Sequence, residues 1–379
     1  MSGDTRVSKP PPPAATDDET WMDAAIAQAK QGQPSPNPHV GAVVVKEGEI
    51  VGTGFHEKAG TEHAEAVAIA AAGDAVRGAT LYVTLEPCNH EGRTPPCTDA
   101  IIAAGIARVV IGCKDPNPNV EGGGVERLTA AGIEVVVGVR ETQARNIIRS
   151  WTKHVTTGLP HVSLKLALSL DGRIATRSGA SRWVTGPDAR AKVHVLRARH
   201  DAVAVGIGTA IADDPRLTVR DYTGQSPTRV VFDTKLRLPI DGHLASTARD
   251  TRVWVVCGED APTHEEEELR ELGIDVLRAP KSSEGRVDVA AALALLGQRG
   301  IVSLMVEGGA ELAGSFLAGR MADDMHAFIA PMLLGPRGRP GAVDWAGPDT
   351  PAQAPRIAKP SWELCGADAY VHGRLTYPD

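Results

Sequence analysis

Three side chains with metal-binding chemistry, the His63 imidazole and the Cys88 and Cys97 thiols, constrain the N-terminal half of this chain more than any other feature. One nitrogen and two sulfurs suit Zn²⁺ in softness and number, and three protein ligands leave a fourth tetrahedral position open for water. Glu65 lies two residues past the histidine, near the metal without having to ligate it. A carboxylate so placed can take a proton from water and return it to a leaving group. The plain alternative is a structural zinc site closed by His90 or Cys113. Such a site has no need of Glu65, and its cysteines usually come in short paired spacings.

The scaffold for this set is an alternation of strands and helices. Met22, Ala25, Ile26 and Ala29 fall at helical spacing and predict a first helix ending near Gly32. Valine-rich residues 40–45 and their return over 50–54 predict a hairpin about the Glu47-Gly48 turn. Strands are expected over 80–84, 109–111 and 133–137, and helices over 63–72 and 97–104. That series implies helices layered on a sheet. Cysteines near helix N-termini would there be favoured as thiolates, the metal-binding form.

A helix over 141–154 leads to the segment Thr156-Thr-Gly-Leu-Pro160, the expected domain junction. A second β-rich pattern follows, with strands over 161–168, 202–205, 229–232, 252–256, 274–277 and 302–306, a helix from Pro187 to about residue 200, and a closing hairpin over 362–377. Lys165 stands on an otherwise apolar strand, where a buried amine needs a partner. Asp171 reads as the cap of an Asp171-Gly172 turn, and 265–268 as a solvated charged helix face. Val306-Glu-Gly-Gly-Ala310 reads as strand, glycine turn and helix, an arrangement that offers free backbone N–H groups to a pyrophosphate.

At 379 residues the chain has room for two ordinary domains. The expected division is a disordered proline-rich tail over 1–18, one domain over 19–156 and a second, unrelated one over 157–379. The 40 basic and 47 acidic residues give a formal charge of −7, against a general nucleic-acid or membrane-surface binder. Small-molecule partners are expected. Five cysteines, an odd number, point to a reducing compartment, with Cys113, Cys257 and Cys365 as buried thiols. No apolar run approaches the roughly 18 residues of a membrane helix, so the expected location is cytoplasmic.

Zinc deaminases of nucleobases carry His-x-Glu followed by Pro-Cys-x-x-Cys. Here eight residues, Asn89 to Pro96, separate the cysteines. The segment Glu86-Pro-Cys-Asn-His-Glu-Gly-Arg-Thr-Pro-Pro-Cys97, with Pro36-Asn-Pro-His-Val-Gly41 and Asp115-Pro-Asn-Pro118, resembles the deaminase half of the bifunctional riboflavin-biosynthesis deaminase/reductase family. Leu164-Lys-Leu-Ala-Leu-Ser-Leu-Asp-Gly-Arg173, Ser181-Arg-Trp-Val-Thr-Gly-Pro187, Gly206-Ile-Gly-Thr-Ala-Ile-Ala-Asp-Asp-Pro215 and Glu307-Gly-Gly309 are similar to its reductase half. Asn89, in place of a serine, and Glu121-Gly-Gly-Gly124 depart from the family's usual residues.

The resemblance implies a cytidine-deaminase-like three-layer α/β domain followed by a dihydrofolate-reductase-like α/β domain, one Zn²⁺ per chain, NADPH and a homo-oligomer, dimer or tetramer. It implies zinc on His63, Cys88 and Cys97, with Glu65 as acid and base. For the deaminase substrate it implies Asn37, His56, Arg93, Thr94, Asp115 and Asn117. NADPH contacts are implied at Ala167, Trp183, Thr209, Asp213, Thr234 and at Gly309, Ala310, Glu311, Leu312, Ala313, Gly314 and Ser315. Ser181, Arg197, Leu217, Arg220 and Glu307 are implied to hold the phosphosugar, the arginines as phosphate clamps, with Lys165 beside the reacting sugar carbon. The implied reactions are hydrolytic deamination of 2,5-diamino-6-(5-phosphoribosylamino)pyrimidin-4-one and reduction of the ribosyl group of the resulting uracil to ribityl. The competing readings are a nucleobase or tRNA deaminase with an appended binding domain, and a non-catalytic zinc scaffold.

Overall fold

The computed structural model describes residues 17–91, 95–118, 122–335, 337 and 341–378. The chain divides into two compact units, Met1–Thr152 and Lys153–Asp379.

The first unit runs α1 (Asp17–Ala29), β1 (Gly41–Lys46), β2 (Glu49–Phe55), α2 (Ala64–Ala72), β3 (Thr80–Leu85), α3 (Cys97–Ala104), β4 (Arg108–Cys113), α4 (Gly124–Ala130), β5 (Glu134–Val137) and α5 (Glu141–Ile147). The sheet order is β2-β1-β3-β4-β5, antiparallel about β1 and parallel from β3 to β5. Both faces are covered, which is why β1 reads as a continuous apolar run. On one face Met22, Ala25 and Ile26 of α1 pack against Val43, Val45, Tyr82 and Val110. On the other, α2 lies directly on β2. A Cβ at Gly52 or Gly54 would stand 2.3 Å from the carbonyl oxygens of Ala68 and Ala64 respectively. Only glycine opposite an alanine-rich helix allows so close an approach.

Helix α6 (Arg149–Thr157) follows, and the second unit contains β6 (His161–Ser169), α7 (Pro187–Ala198), β7 (Ala202–Gly206), α8 (Ile207–Asp213), β8 (Thr228–Phe232), α9 (His243–Ser246), β9 (Val253–Gly258), α10 (Thr263–Glu271), β10 (Asp275–Ala279), α11 (Val289–Gln298), β11 (Ser303–Val306), α12 (Ala310–Ala318), β12 (Asp324–Ala330), β13 (Arg356–Cys365) and β14 (Asp368–Thr376). Nine strands form one sheet in the order β10-β9-β8-β7-β11-β6-β12-β14-β13. The first seven are parallel, and the last two add antiparallel. Along β7, Ala202 and Ala204 enter one core and Val203 and Val205 the other. No helix among the described residues is long and apolar enough to cross a membrane.

Several expectations shift. Helix α1 begins at Asp17, two residues inside the proposed tail, because Asp18 has partners there: its carboxylate accepts from Tyr82 Oη at 2.8 Å and from Arg108 at 2.8 and 2.9 Å. Residues 1–16 lie outside the described residues. The single helix over 141–154 is two, with a break at Ile148, and α6 carries helical structure into the expected junction. Strand β12 was not legible, since Asp324 and His326 are buried on it where a strand pattern calls for apolar residues. Asp171 does more than cap a turn: its carboxylate accepts from Ser169 Oγ at 2.6 Å and from the amides of Leu334 and Gly335 at 3.1 and 2.7 Å. The acidic run is not simply solvated either, because Glu266 pairs with Arg270 and Arg278.

Gly314 in α12 faces backbone, and a Cβ there would fall 1.9 Å from the carbonyl oxygen of Asp344, whose own amide donates to Ala310 O at 3.0 Å. Glycine to alanine inside a helix ordinarily gains about 1 kcal/mol. Here overpacking reverses the sign, and Gly314→Ala should destabilise the second unit by about 1–3 kcal/mol. A lower urea midpoint for loss of reductase activity is the expected result.

Candidate active sites

In the first unit, the segment that follows β3 delivers Cys88, α3 opens on Cys97, and His63 directly precedes α2. Their ligand atoms lie within 4.8 Å of one another, and no other such group of metal-ligating side chains occurs among the described residues. His63 Nδ1 stands 3.2 Å from Cys97 Sγ and 3.5 Å from Cys88 Sγ. The Cys97 backbone N–H donates to Cys88 Sγ at 3.3 Å, and Thr98 N donates to Cys88 O at 3.2 Å. Bonding with the Cys97 thiol, His63 and that backbone N–H pulls the Cys88 thiol well below its ordinary value. A nitrogen and two sulfurs converging in this way fit a tetrahedral Zn²⁺ with one position left over. His90 and Cys113 take no part in the cluster, and Cys113 Sγ donates instead to Thr84 O at 3.5 Å.

Glu65 is 3 % exposed in the first turn of α2, and burial pushes its carboxyl up to about 7. The His56 ring packs edge-on to His63 with centroids 5.3 Å apart. Burial lowers the pKa of His56. In its neutral form Nδ1–H donates to Glu62 O at 3.0 Å, which leaves Nε2 to accept from Asn37 Nδ2 at 3.0 Å. Asp115 lines a small cavity with Cys88 and Asn89, and its Oδ1 accepts from Asn117 N at 2.8 Å. Asn89 is bonded to Thr98 at 3.0 Å. Arg93 and Thr94 lie outside the described residues.

The second unit brings Lys165 of β6, Arg197 of α7 and Glu307 after β11 into one buried cluster. Arg197 donates through Nε and Nη2 to the two carboxylate oxygens of Glu307, the latter at 2.9 Å, and through Nη1 to Thr218 O at 3.0 Å. Lys165 Nζ is 3.8 Å from Glu307 Oε2. Burial pushes the Glu307 carboxyl up, but Arg197 and Lys165 outweigh it and hold the carboxyl below its ordinary value. Lys165 is pushed down by burial against the opposing charge of Glu307. Arg197 thus spends its fork on a carboxylate within the chain. Arg220 is exposed and donates to Thr218 Oγ1 at 3.1 Å, and Leu217 is buried with a left-handed φ of 56°.

Ser181 Oγ donates to Asp213 at 2.8 Å. Trp183 is 65 % exposed, with Arg190 over its ring at 4.5 Å. Gly308 and Gly309 turn into α12 at φ 123° and 84°, and a Cβ on either would come within 3.6 Å of the Thr209 side chain. This turn, whose positive φ angles favour glycine, leads to the N–H groups of a helix start and fits a dinucleotide phosphate. Of the following residues, Ala310, Leu312, Ala313 and Gly314 are buried, leaving Gly309, Glu311 and Ser315 accessible. Thr234 Oγ1 accepts from Val287 N at 3.2 Å, and half-buried Ala167 of β6 stands opposite Phe328 of β12. The pairings of Arg197 with Glu307 and of Ser181 with Asp213 span too much sequence for any spacing to signal them.

Residues 15–113 match the cytidine and deoxycytidylate deaminase zinc-binding region, and residues 160–371 match the RibD C-terminal domain. The riboflavin biosynthesis protein RibD of Aquifex aeolicus is 45 % identical over 321 residues, which is 84 % of this chain and 88 % of that one. Its Escherichia coli counterpart is 41 % identical over 94 % and 98 %. The structure of Acinetobacter baumannii RibD superposes with a TM-score of 0.83 at 39 % identity, covering 95 % of this chain and 99 % of that one. That of a Thermotoga maritima diaminohydroxyphosphoribosylaminopyrimidine deaminase/5-amino-6-(5-phosphoribosylamino)uracil reductase superposes at 0.81 with 38 % identity, covering 96 % and 99 %. A reductase domain where a lone nucleobase deaminase would carry only a binding module sets the competing enzymatic reading aside. With both halves matched in order and over nearly full length, the chain belongs to the RibD family and is a bifunctional enzyme of riboflavin biosynthesis, a deaminase and a reductase in one polypeptide.

Proposed function

We propose that the first unit deaminates 2,5-diamino-6-(5-phosphoribosylamino)pyrimidin-4-one with one zinc ion, and that the second reduces the ribosyl group of 5-amino-6-(5-phosphoribosylamino)uracil to ribityl with NADPH. The observation that carries the reading is the buried Glu65 carboxyl beside the convergent donors of His63, Cys88 and Cys97. Zinc held by those three residues supplies a Lewis acid that makes water a nucleophile at neutral pH. Glu65 takes the proton from that water and passes it to the departing amino group, so that water enters and ammonia leaves. Asn37, held in place by His56, orients the pyrimidine beside it.

In the second unit the glycine turn before α12, with Thr209, would hold the dinucleotide, and NADPH supplies a hydride to the sugar C1. The Lys165 ammonium would give its proton to the ring oxygen released when C1 takes a hydride, so that a C–H bond replaces the C1–O bond and the oxygen leaves as a hydroxyl. A cytoplasmic setting accords with five cysteines that are all free thiols.

Incubating the protein with the phosphoribosylaminopyrimidine should release ammonia without NADPH and oxidise NADPH only afterwards. Stripping the metal with a strong chelator should stop ammonia release yet leave NADPH oxidation on the deaminated substrate intact. Ammonia from cytidine but none from the diaminopyrimidine would overturn the substrate assignment.

A further inference from the structure

Three segments meet beside Cys88: the Glu86-Pro87 step after β3, the Asp115–Asn117 turn after β4 and the start of α4. Glu86 joins them. Its backbone N–H donates to Cys113 O at 2.9 Å, while its two carboxylate oxygens part company. Oε2 accepts from the Asp115 amide at 3.3 Å, and Oε1 from the Val125 amide at 3.2 Å. Gly123, which precedes α4, has no side chain to take that amide. Gly124 makes the close approach possible, since a Cβ there would stand 2.3 Å from Pro87 O and 3.3 Å from Glu86 Oε1. Glu86, Cys88, Asn89 and Asp115 line one small cavity at this meeting point.

We propose that Glu86 is a positioning residue for deamination: one carboxylate bridges two segments and fixes the Asp115–Asn117 turn at the mouth of the metal site without touching the metal. The inference rests on the deaminase reading above. It gives Glu86 a share in substrate binding and none in holding zinc.

Glu86→Gln keeps the shape but turns an N–H₂ donor toward a backbone N–H, leaving a half-buried amide without its acceptor. The KM for the diaminopyrimidine should rise about tenfold, the equivalent of one such lost bond, with kcat reduced less than KM is raised. Zinc content and NADPH oxidation on the deaminated substrate should match the parent enzyme. Gly124→Ala displaces the same segments by contact and should give the same KM signature, and the double variant should fall short of additivity because both act on one joint. An unchanged KM in Glu86→Gln, zinc lost in step with activity, or full additivity of the pair would each overturn the assignment. Absence of ammonia release by the parent enzyme would instead remove the deaminase reading beneath it.

Discussion

Glu65→Gln should lose ammonia release by about a hundred- to ten-thousand-fold, the range that a positioned acid and base contributes. The amide is nearly isosteric with the carboxyl, so the buried pocket at the start of α2 keeps its packing. Burial disfavours the charged form of Glu65, and a neutral amide escapes that penalty, so the first unit should be no less stable. His63, Cys88 and Cys97 are untouched. Zinc measured by atomic emission should therefore stay at one ion per chain, and NADPH oxidation on the deaminated substrate should stay at the parent rate. Ammonia release at the parent rate would remove Glu65 from its role.

Glu307→Gln should have the largest effect in the second unit. The side chain of Glu307 is 4 % exposed and sits between Arg197, 11 % exposed, and Lys165, 15 % exposed. Taking away the central charge leaves two neighbouring cations without their counter-ion, a change that typically costs about 3–5 kcal/mol. A second consequence concerns protonation. Burial pushes the Lys165 amine down and Glu307 holds it up; the amide cancels the second influence, so the pKa of Lys165 falls further. With Lys165 as the proposed proton donor, reduction should then decline at lower pH than in the parent, moving the alkaline limb of the rate profile toward neutrality. Ammonia release, in the other unit, should keep its own profile. A reductase limb that stays in place would take Lys165 out of the proton transfer.

The metal site was legible because its chemistry is written in residue types at fixed positions: nothing but a nitrogen, two sulfurs and a nearby carboxyl had to be found. Strands β1, β4 and β7 were legible for a related reason, since a strand covered on both faces is a bare run of Val, Ile and Ala. β12 escaped because Asp324 and His326 lie buried on it where apolar residues would mark a strand. Arg197 read as a phosphate clamp only through the family resemblance, whereas the fold gives it Glu307 as a partner 110 positions away. Glu86 was invisible as a joint for a different reason. Its partners are backbone amides 29 and 39 positions on, and a backbone amide leaves no mark in the letters of a sequence.

The bonds from Cys97 N to Cys88 Sγ and from Thr98 N to Cys88 O tie the two cysteines together across everything that lies between them. Chain length in such a closed loop is thermodynamically cheap to vary, at about 0.6 kcal/mol per doubling. The number of residues between the two cysteines is thus separable from the bonds that join them. Insertions or deletions between Cys88 and Cys97 should therefore leave the three convergent donors where they are.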